Sequence, residues 1–223
     1  MPRYELAVLE GRWFDKKNRS IRPVFDTLID LLHGTPHAYF YHQFSNAASL
    51  EHLVRRVAET EARFLYIGAH GDTSGLYGFD RDDGDEKPTT DDVGKISLTR
   101  LRKLLWKCWD EGVGDFDGLF LGSCSFVNEE NAKRLLRGEG VPTSLKWVAG
   151  YATDVDWIDS TLLDALFLKR VLTRSGKSPV ARIEDAARFI AREAPGLCKR
   201  LGFQVYRRKQ GPGNDVKPLL EYE

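Results

Sequence analysis

Short apolar segments alternate along the chain with longer amphipathic segments, in which apolar residues recur at helical spacing. The apolar segments predict β-strands and the amphipathic segments predict α-helices. The predicted strands cover residues 4–11, 37–44, 62–72, 116–126, 145–154 and 203–208. The predicted helices cover residues 20–34, 46–57, 99–110, 128–136, 160–173 and 178–193. Strands and helices are therefore expected to alternate over most of the chain.

Most of the predicted strands are apolar throughout, without the alternation of a strand that has one face in water. Strands of this kind, joined by helices, are typical of a mostly parallel sheet with helices on both faces. A length of 223 residues suits one large domain, or two small ones at most. We expect residues 1–223 to form a single α/β domain, with a poorly ordered Gly/Pro-rich tail after about residue 210.

An acidic segment at residues 80–92, DRDDGDEKPTTDD, interrupts this order. Its composition predicts a solvated loop between the strand that contains His70 and the next helix. The segment also invites comparison with a calcium-binding loop, but its glycine comes one position too early for the EF-hand spacing. We favour a plain loop, and calcium binding stays the alternative.

The charge balance excludes a strongly basic protein. Lys and Arg number 33, Asp and Glu also number 33, and the formal net charge is zero. Proteins that bind duplex nucleic acid usually carry a basic excess, so we expect no nucleic-acid partner. No apolar run approaches the ~18 residues that a membrane span needs, and the N-terminus lacks the apolar core of a signal peptide. We therefore expect neither membrane insertion nor export.

The cysteines and histidines show no metal-binding or disulfide pattern. Cys108, Cys124 and Cys198 are widely spaced and odd in number, which favours a reducing cytoplasm. The five histidines lack the spacing of metal ligands. No glycine-rich phosphate motif opens a predicted helix, which disfavours a nucleotide-binding protein. We therefore expect no metal and no cofactor.

Two reactive side chains follow small residues at the ends of predicted strands. His70 comes after the strand FLYIGA, and Cys124 comes after the strand LFLGS. In a parallel α/β sheet, sites lie beyond the carboxyl ends of the strands. Neighbouring strands are about 4.8 Å apart, so His70 and Cys124 would face each other if their strands were adjacent.

A thiol and an imidazole in this arrangement can cleave an acyl bond. The imidazole of His70 takes the proton of Cys124, the thiolate attacks an acyl carbon, and His70 then protonates the leaving amine. The small residues nearby leave backbone N–H groups free to stabilise an oxyanion. The candidates for that role are the N–H groups of Gly71 and Cys124. Taken singly, these side chains are more often an inert core cysteine and a satisfied polar histidine, and it is their combination at two successive strand ends that favours a catalytic pair.

The order of these motifs resembles that of the caspase-like cysteine peptidases, which include caspases, metacaspases, gingipains, separases and bacterial CHAT domains. His70 and Cys124 are 54 residues apart, close to the ~50 of caspases. The stretch WVAGYATDVDWIDSTLLDALFLKRVL resembles CHAT and separase sequences in particular. The resemblance covers about residues 64–190. The caspase motif Gln-Ala-Cys-x-Gly is absent, so strict specificity for aspartate does not carry over.

The resemblance implies a three-layer αβα sandwich of caspase-like fold, a Cys124–His70 dyad and cleavage of peptide bonds in a protein substrate. It also implies that an acidic residue after the fifth strand binds a basic P1 side chain, the residue before the scissile bond. Asp156 occupies the matching position, and Asp154 is its nearest substitute. The alternative is that Asp156 caps the next helix. Glu10 and Trp13, at the end of the first strand, are further candidates for lining this pocket from the other side.

Members of this group that resemble CHAT proteins act in bacterial stress or antiviral defence pathways and are switched on by partners. The chain carries no recognisable sensor repeats, so the resemblance implies a separate activator or inhibitor protein. A cytoplasmic cysteine endopeptidase is the function that we expect. The competing hypothesis is a catalytically silent caspase-like fold that acts as a partner-binding module.

Overall fold

The fold is known from a computed structural model, which describes residues 5–12, 20–33, 39–60, 62–78, 94–112, 114–137, 144–173, 177–209 and 215–221. The strands are β1 (Leu6–Gly11), β2 (Tyr39–Phe44), β3 (Phe64–Gly68), β4 (His70–Asp72), β5 (Gly75–Tyr77), β6 (Lys95–Ser97), β7 (Gly118–Gly122), β8 (Trp147–Tyr151), β9 (Phe203–Arg208) and β10 (Val216–Pro218). The helices are α1 (Arg22–His33), α2 (Ala47–Ala58), α3 (Leu98–Asp110), α4 (Glu129–Arg137), α5 (Trp157–Leu172), α6 (Pro179–Glu193) and α7 (Pro195–Arg200).

The central sheet has seven strands in the order β10-β9-β8-β7-β3-β1-β2. The strands from β8 to β2 are parallel to one another, whereas β9 and β10 are antiparallel to their neighbours. The mostly parallel α/β sheet predicted from the sequence is therefore confirmed.

Apolar side chains cover both faces of this sheet. Along β1, Ala7 and Leu9 belong to one core and Leu6 and Val8 to the other, because successive side chains of a strand point to opposite faces. Helices α2, α3 and α4 pack on the first face, and α1, α5, α6 and α7 pack on the second. The three-layer arrangement follows from strands that are buried on both sides.

Polar side chains fix where several helices begin. Asn46 accepts a hydrogen bond from the Ser49 N–H (2.9 Å) in a capping box at the start of α2. Asp156 accepts hydrogen bonds from the N–H groups of Ile158 and Asp159 and is the N-cap of α5. Helix α5 therefore begins at Trp157, earlier than the start near residue 160 that the sequence predicts.

The strand predicted over residues 62–72 is two strands. Strand β3 ends at Gly68, and β4 leaves the central sheet to form an antiparallel three-stranded sheet in the order β4-β5-β6. At the turn between β4 and β5, the Asp72 carboxylate accepts hydrogen bonds from the N–H groups of Ser74 (2.7 Å) and Gly75 (3.0 Å). An Asp at the first and a Gly at the fourth position of a turn are typical of this geometry.

The expectation of a poorly ordered tail after about residue 210 is wrong for residues 215–221. Strand β10 pairs with β9 at the edge of the central sheet, and the Leu219 N–H donates to the Val205 carbonyl (2.8 Å). Leu220 is buried in the core on the face of the sheet that carries α1, α5, α6 and α7. Burial of this side chain and the ladder with β9 offset the entropy of ordering the segment. The acidic segment at residues 80–92, with its loop and calcium alternatives, lies outside the described residues.

A buried carboxyl group ties α5 to the middle of the sheet. Asp164 on α5 is 1% exposed and accepts a hydrogen bond from the Tyr66 hydroxyl (2.7 Å), and it also pairs with the Tyr151 hydroxyl. The Tyr151 hydroxyl also lies 3.0 Å from the Ser160 carbonyl. A protonated Asp164 satisfies all three partners, because it can donate to Tyr151 while Tyr151 donates to Ser160. Burial raises the pKa of Asp164 from 3.8 to about 7, although the two tyrosine hydrogen bonds lower it.

This raised pKa predicts that Asp164 makes the protein less stable as the pH rises. Between about pH 4 and about pH 7 the folded protein holds a proton that the unfolded chain releases, so the free energy of unfolding falls across this range. Relative to Asp164→Asn, which stays neutral, wild type should lose roughly 2–3 kcal/mol from about pH 5 to about pH 8. Urea unfolding of both proteins at the two pH values measures the difference.

Asp159→Asn is the matched control, because Asp159 lies on the same helix but is partly exposed and pairs with Arg200 at 2.6 Å. This control should not reproduce the loss with rising pH. A difference between wild type and Asp164→Asn that stays constant with pH would contradict the prediction.

Candidate active site

The two predicted catalytic residues follow neighbouring strands at the same level of the sheet. Strands β3 and β7 pair in parallel, and Gly68 is the register partner of Gly122. His70 is two residues beyond Gly68, and Cys124 is two residues beyond Gly122. The condition that the sequence left open, adjacency of these two strands, is therefore met, and both strands end at one edge of the sheet.

The backbone segments beyond the two strands are in direct contact. The Ala69 N–H donates to the Gly122 carbonyl (3.2 Å), which extends the ladder past the end of β3. A side chain at Gly71 would place its Cβ 2.9 Å from the Ser123 Cβ and 3.1 Å from the Cys124 carbonyl oxygen. Glycine is therefore needed at position 71 for this close approach.

His70 lies at the start of β4, between the central sheet and the small sheet. It is half-buried, its Nε2 atom is buried, and its register partner is Tyr77 on β5. The Tyr77 hydroxyl donates to the Asp72 carboxylate (2.6 Å). This hairpin fixes the backbone of His70 beside the end of β7.

Asp72, which the sequence reasoning did not use as a site residue, anchors the same hairpin. Burial alone would raise the pKa of Asp72, but hydrogen bonds from Ser74, Tyr77 and Gly75 lower it to about 2. The carboxylate is therefore charged throughout the pH range in which a thiol protease works. The signal that could have identified it is the Asp-x-x-Gly spacing of a turn directly after the His-Gly motif.

The three cysteines differ sharply in exposure. Cys108 and Cys198 are fully buried, because Cys108 on α3 faces one core and Cys198 on α7 faces the other. Burial raises the pKa of the Cys108 thiol. Cys124 is partly exposed, and its Sγ accepts a hydrogen bond from the Val155 N–H at 3.5 Å. The cysteine at the strand end is thus the accessible thiol among the three.

The chain turns sharply just after Cys124. Ser125 has φ of 55°, the one positive φ of a non-glycine residue among the described parts of the chain. This left-handed conformation is strained for a side-chain-bearing residue, and such strain persists only where the surroundings enforce it. Two hydrogen bonds hold the backbone of Ser125 in this conformation. The Ser125 N–H donates to the Thr153 carbonyl and the Val127 N–H donates to the Tyr151 carbonyl, both at 2.9 Å.

The turn is therefore tied to the loop between β8 and α5, which carries the two predicted specificity residues. Asp154 and Asp156 are both exposed and flank Val155, the residue whose N–H contacts the Cys124 sulfur. Asp154 accepts a hydrogen bond from the Ser125 hydroxyl (2.8 Å). Both carboxylates thus belong to residues next in sequence to Val155, whose N–H contacts the Cys124 sulfur.

Asp156 has the capping role that the sequence left as the alternative. The same carboxylate oxygen accepts hydrogen bonds from the N–H groups of Ile158 (2.9 Å) and Asp159 (3.0 Å). The residue is nevertheless exposed. Capping therefore occupies one carboxylate oxygen of Asp156. The role of Asp156 in binding a substrate stays a prediction.

Glu10 has a structural role instead of lining a pocket. It is 0% exposed, and its carboxylate accepts hydrogen bonds from the Ile21 N–H (2.9 Å) and the Ser20 hydroxyl (2.7 Å) at the start of α1. The Tyr41 hydroxyl donates to it as well, and the pKa of Tyr41 is raised by burial and by this hydrogen bond. These bonds turn Glu10 towards α1, so the geometry does not support its prediction as a substrate contact. Trp13 lies outside the described residues.

The register of β4 with β5 determines which side of β4 the Gly71 N–H faces, and its oxyanion role stays a prediction. A two-residue turn separates Asp72 from Gly75, so ladder hydrogen bonds join Asp72 to Gly75 and His70 to Tyr77. Bonded and non-bonded pairs alternate along an antiparallel ladder, so Gly71 makes no ladder bond to β5. Its N–H consequently points away from β5.

Two further features concern the described residues only. They contain no cluster of three or more His, Cys, Asp or Glu side chains that could hold a metal ion. No helix among them combines the length and the apolarity needed to cross a bilayer.

Comparisons with known proteins show which fold this is. No protein-family model and no curated protein matches the sequence. Among solved structures, the chain is similar to iotapain, a secreted C11 cysteine protease from Bacteroides thetaiotaomicron, with a TM-score of 0.51 and 13% identity. The match covers 93% of this chain and 67% of that protease. Particular closeness to CHAT domains stays a prediction. The seven-stranded sheet with its flanking helices is a caspase-like protease fold.

Proposed function

We propose that this chain is a cysteine endopeptidase in which Cys124 is the nucleophile and His70 is the general base and acid. The observation that carries the proposal is the parallel register of β3 and β7, which brings His70 and Cys124 to one edge of the sheet. The partial exposure of Cys124, in contrast to two fully buried cysteines, supports it. The likeness of the fold to that of a cysteine protease is consistent with the same chemistry.

In the proposed reaction, His70 takes the thiol proton and the Cys124 sulfur attacks the carbonyl carbon of the peptide bond. His70 then gives this proton to the leaving nitrogen, the C–N bond breaks, and an acyl-enzyme remains. A water molecule loses a proton to His70 and attacks the acyl carbon. The carboxylic acid leaves, and the proton on His70 returns to the sulfur.

Backbone N–H groups support the charged species of this reaction. The Gly71 N–H makes no ladder bond to β5, and the backbone of Gly71 approaches that of Cys124 closely, which supports an oxyanion role for this N–H. With the Cys124 N–H, it would stabilise the oxyanion of the tetrahedral intermediate. The Val155 N–H already donates to the Cys124 sulfur, where it would stabilise negative charge on the thiolate.

The acidic residues beside Cys124 favour a basic P1 side chain. Asp154 and Asp156 are exposed carboxylates on the loop that contacts the sulfur. A carboxylate accepts two parallel hydrogen bonds from an Arg guanidinium, which gives both charge pairing and orientation. This specificity rests on the proposed peptidase activity.

The wider setting rests on the family resemblance. We propose a protein substrate, a separate activator or inhibitor protein, and a role in a bacterial stress or antiviral defence pathway. A cytoplasmic location is supported by the three free thiols. The C11 neighbour, in contrast, is a secreted protein.

Removal of the Cys124 sulfur should abolish peptide hydrolysis. Cys124→Ala and His70→Ala should each lower kcat/KM by at least about 10³-fold, and the double variant should be no worse than the single ones, because the two residues act as a unit. Cys108→Ala is the matched control, since that thiol lies on the buried face of α3. Iodoacetamide should label Cys124 first. Equal hydrolysis by wild type and Cys124→Ala, or preferential labelling of another cysteine, would instead favour the silent partner-binding module.

Profiling of a peptide library should show preference for Arg or Lys at P1 over Asp. Asp154→Asn and Asp156→Asn should each lower kcat/KM for Arg substrates by roughly tenfold to a hundredfold relative to uncharged P1 residues. Asparagine caps a helix as well as aspartate does, so Asp156→Asn removes the charge and keeps the cap of α5. Asp159→Asn controls for a general loss of negative charge. A preference for Asp at P1, or unchanged selectivity in both variants, would contradict the assignment.

A further inference from the structure

Helix α5 carries a row of exposed apolar side chains on its outer face. Ile158 is 63% exposed, Leu162 is 53% exposed and Leu166 is 40% exposed. Their spacing of four residues places them on one face of the helix. The opposite face, which includes Leu163 and Phe167, is buried against the sheet. We call the row Ile158–Leu162–Leu166 the α5 outer stripe.

A row of this kind is unusual on a helix that faces water. Single exposed apolar residues are common on protein surfaces, but contiguous ones mark interaction sites. By contrast, the exposed positions of α4 are charged, with Glu129 and Glu130 in its first turn. The three large side chains of the stripe therefore call for a partner that covers them.

Charge is distributed unequally along the stripe. At the N-terminal end of α5, Asp154 and Asp156 are exposed, while Asp159 is paired with Arg200. At the C-terminal end, Lys169 is exposed on the face that continues the stripe. One end of the stripe is thus acidic and the other is basic.

The pattern is complementary to itself when a second helix runs antiparallel to the first. A two-fold axis through Leu162 sets Leu162 against its own copy and Ile158 against the copy's Leu166. Lys169 lies about 10 Å from Leu162 along the helix, and Asp156 lies nearly as far in the other direction. The same axis therefore brings the copy's Lys169 to the Asp156 end.

We propose that the α5 outer stripe is the interface of a symmetric dimer of this chain. Both copies use the same surface, as closed two-fold assemblies do, so the contact does not propagate into a filament. The interface would cover Ile158, Leu162 and Leu166 and bring Lys169 to the acidic N-terminal end of the partner's α5. The proposal does not depend on peptidase activity.

Sedimentation equilibrium of the full chain, over low to high micromolar concentration, tests the proposal. Wild type should reach twice the 25.3 kDa of one chain. Leu162→Arg sets like charges against each other on the axis and should raise the dimer dissociation constant by at least about tenfold, with an unchanged circular dichroism spectrum. Trp109→Arg is the matched control, because Trp109 is 40% exposed on α3, on the other face of the sheet. It should dimerise like wild type.

Disulfide trapping tests the position of the axis. In a Cys124→Ala background, Leu162→Cys should cross-link to its own copy under mild oxidation, because only a residue on the two-fold axis meets itself. Lys169→Cys should not form a homodimeric disulfide. A wild-type chain that stays monomeric throughout, which includes the case of a different protein covering the stripe, would overturn the proposal. Equal dimerisation of Leu162→Arg, or equal trapping at residues 162 and 169, would overturn it as well.

Discussion

The parallel pairing of β3 with β7 is the constraint on which the candidate site depends. Backbone hydrogen bonds along this pair make Gly68 the partner of Gly122. His70 comes two residues after Gly68, and Cys124 comes two residues after Gly122, at the same edge of the sheet. A slip of one residue would turn every side chain of a strand to the opposite face and disrupt both cores. The register that buries the apolar side chains is thus the same register that brings the thiol and the imidazole to one edge.

Helix α5 connects this site to the rest of the molecule. Its N-terminal loop contacts the Cys124 sulfur through the Val155 N–H, and its middle is held to the sheet by Asp164. Gly122, two residues before Cys124, lies against the same cluster, since a Cβ there would be 2.1 Å from the Tyr66 hydroxyl. The strained turn at Ser125 is held by the loop before α5. A change in the position of α5 would therefore alter the hydrogen bonds that position Cys124 and Ser125.

Acidic residues near the strand ends illustrate how one residue type serves different purposes. Glu10 is sealed from water and fixes the start of α1, whereas Asp156 caps α5 while still exposed. Asp72 closes a turn beside His70, and Asp164 is buried with two tyrosines. Each of them lies within a strand or helix or directly beside one. What separates these roles is the set of hydrogen-bond donors that each carboxylate meets, and these donors come from distant parts of the chain.

The sequence by itself determined the α/β class, the main strands and helices and the strand-end positions of His70 and Cys124, because hydrophobic periodicity and turn residues are local properties. Only the tertiary structure decided that β3 and β7 are neighbours, that β4 leaves the central sheet and that residues 216–218 form its edge strand. It also decided that Glu10 is buried while Asp154 is exposed. These outcomes depend on contacts between residues far apart in the chain, and no local pattern encodes which distant donor or strand a residue will meet.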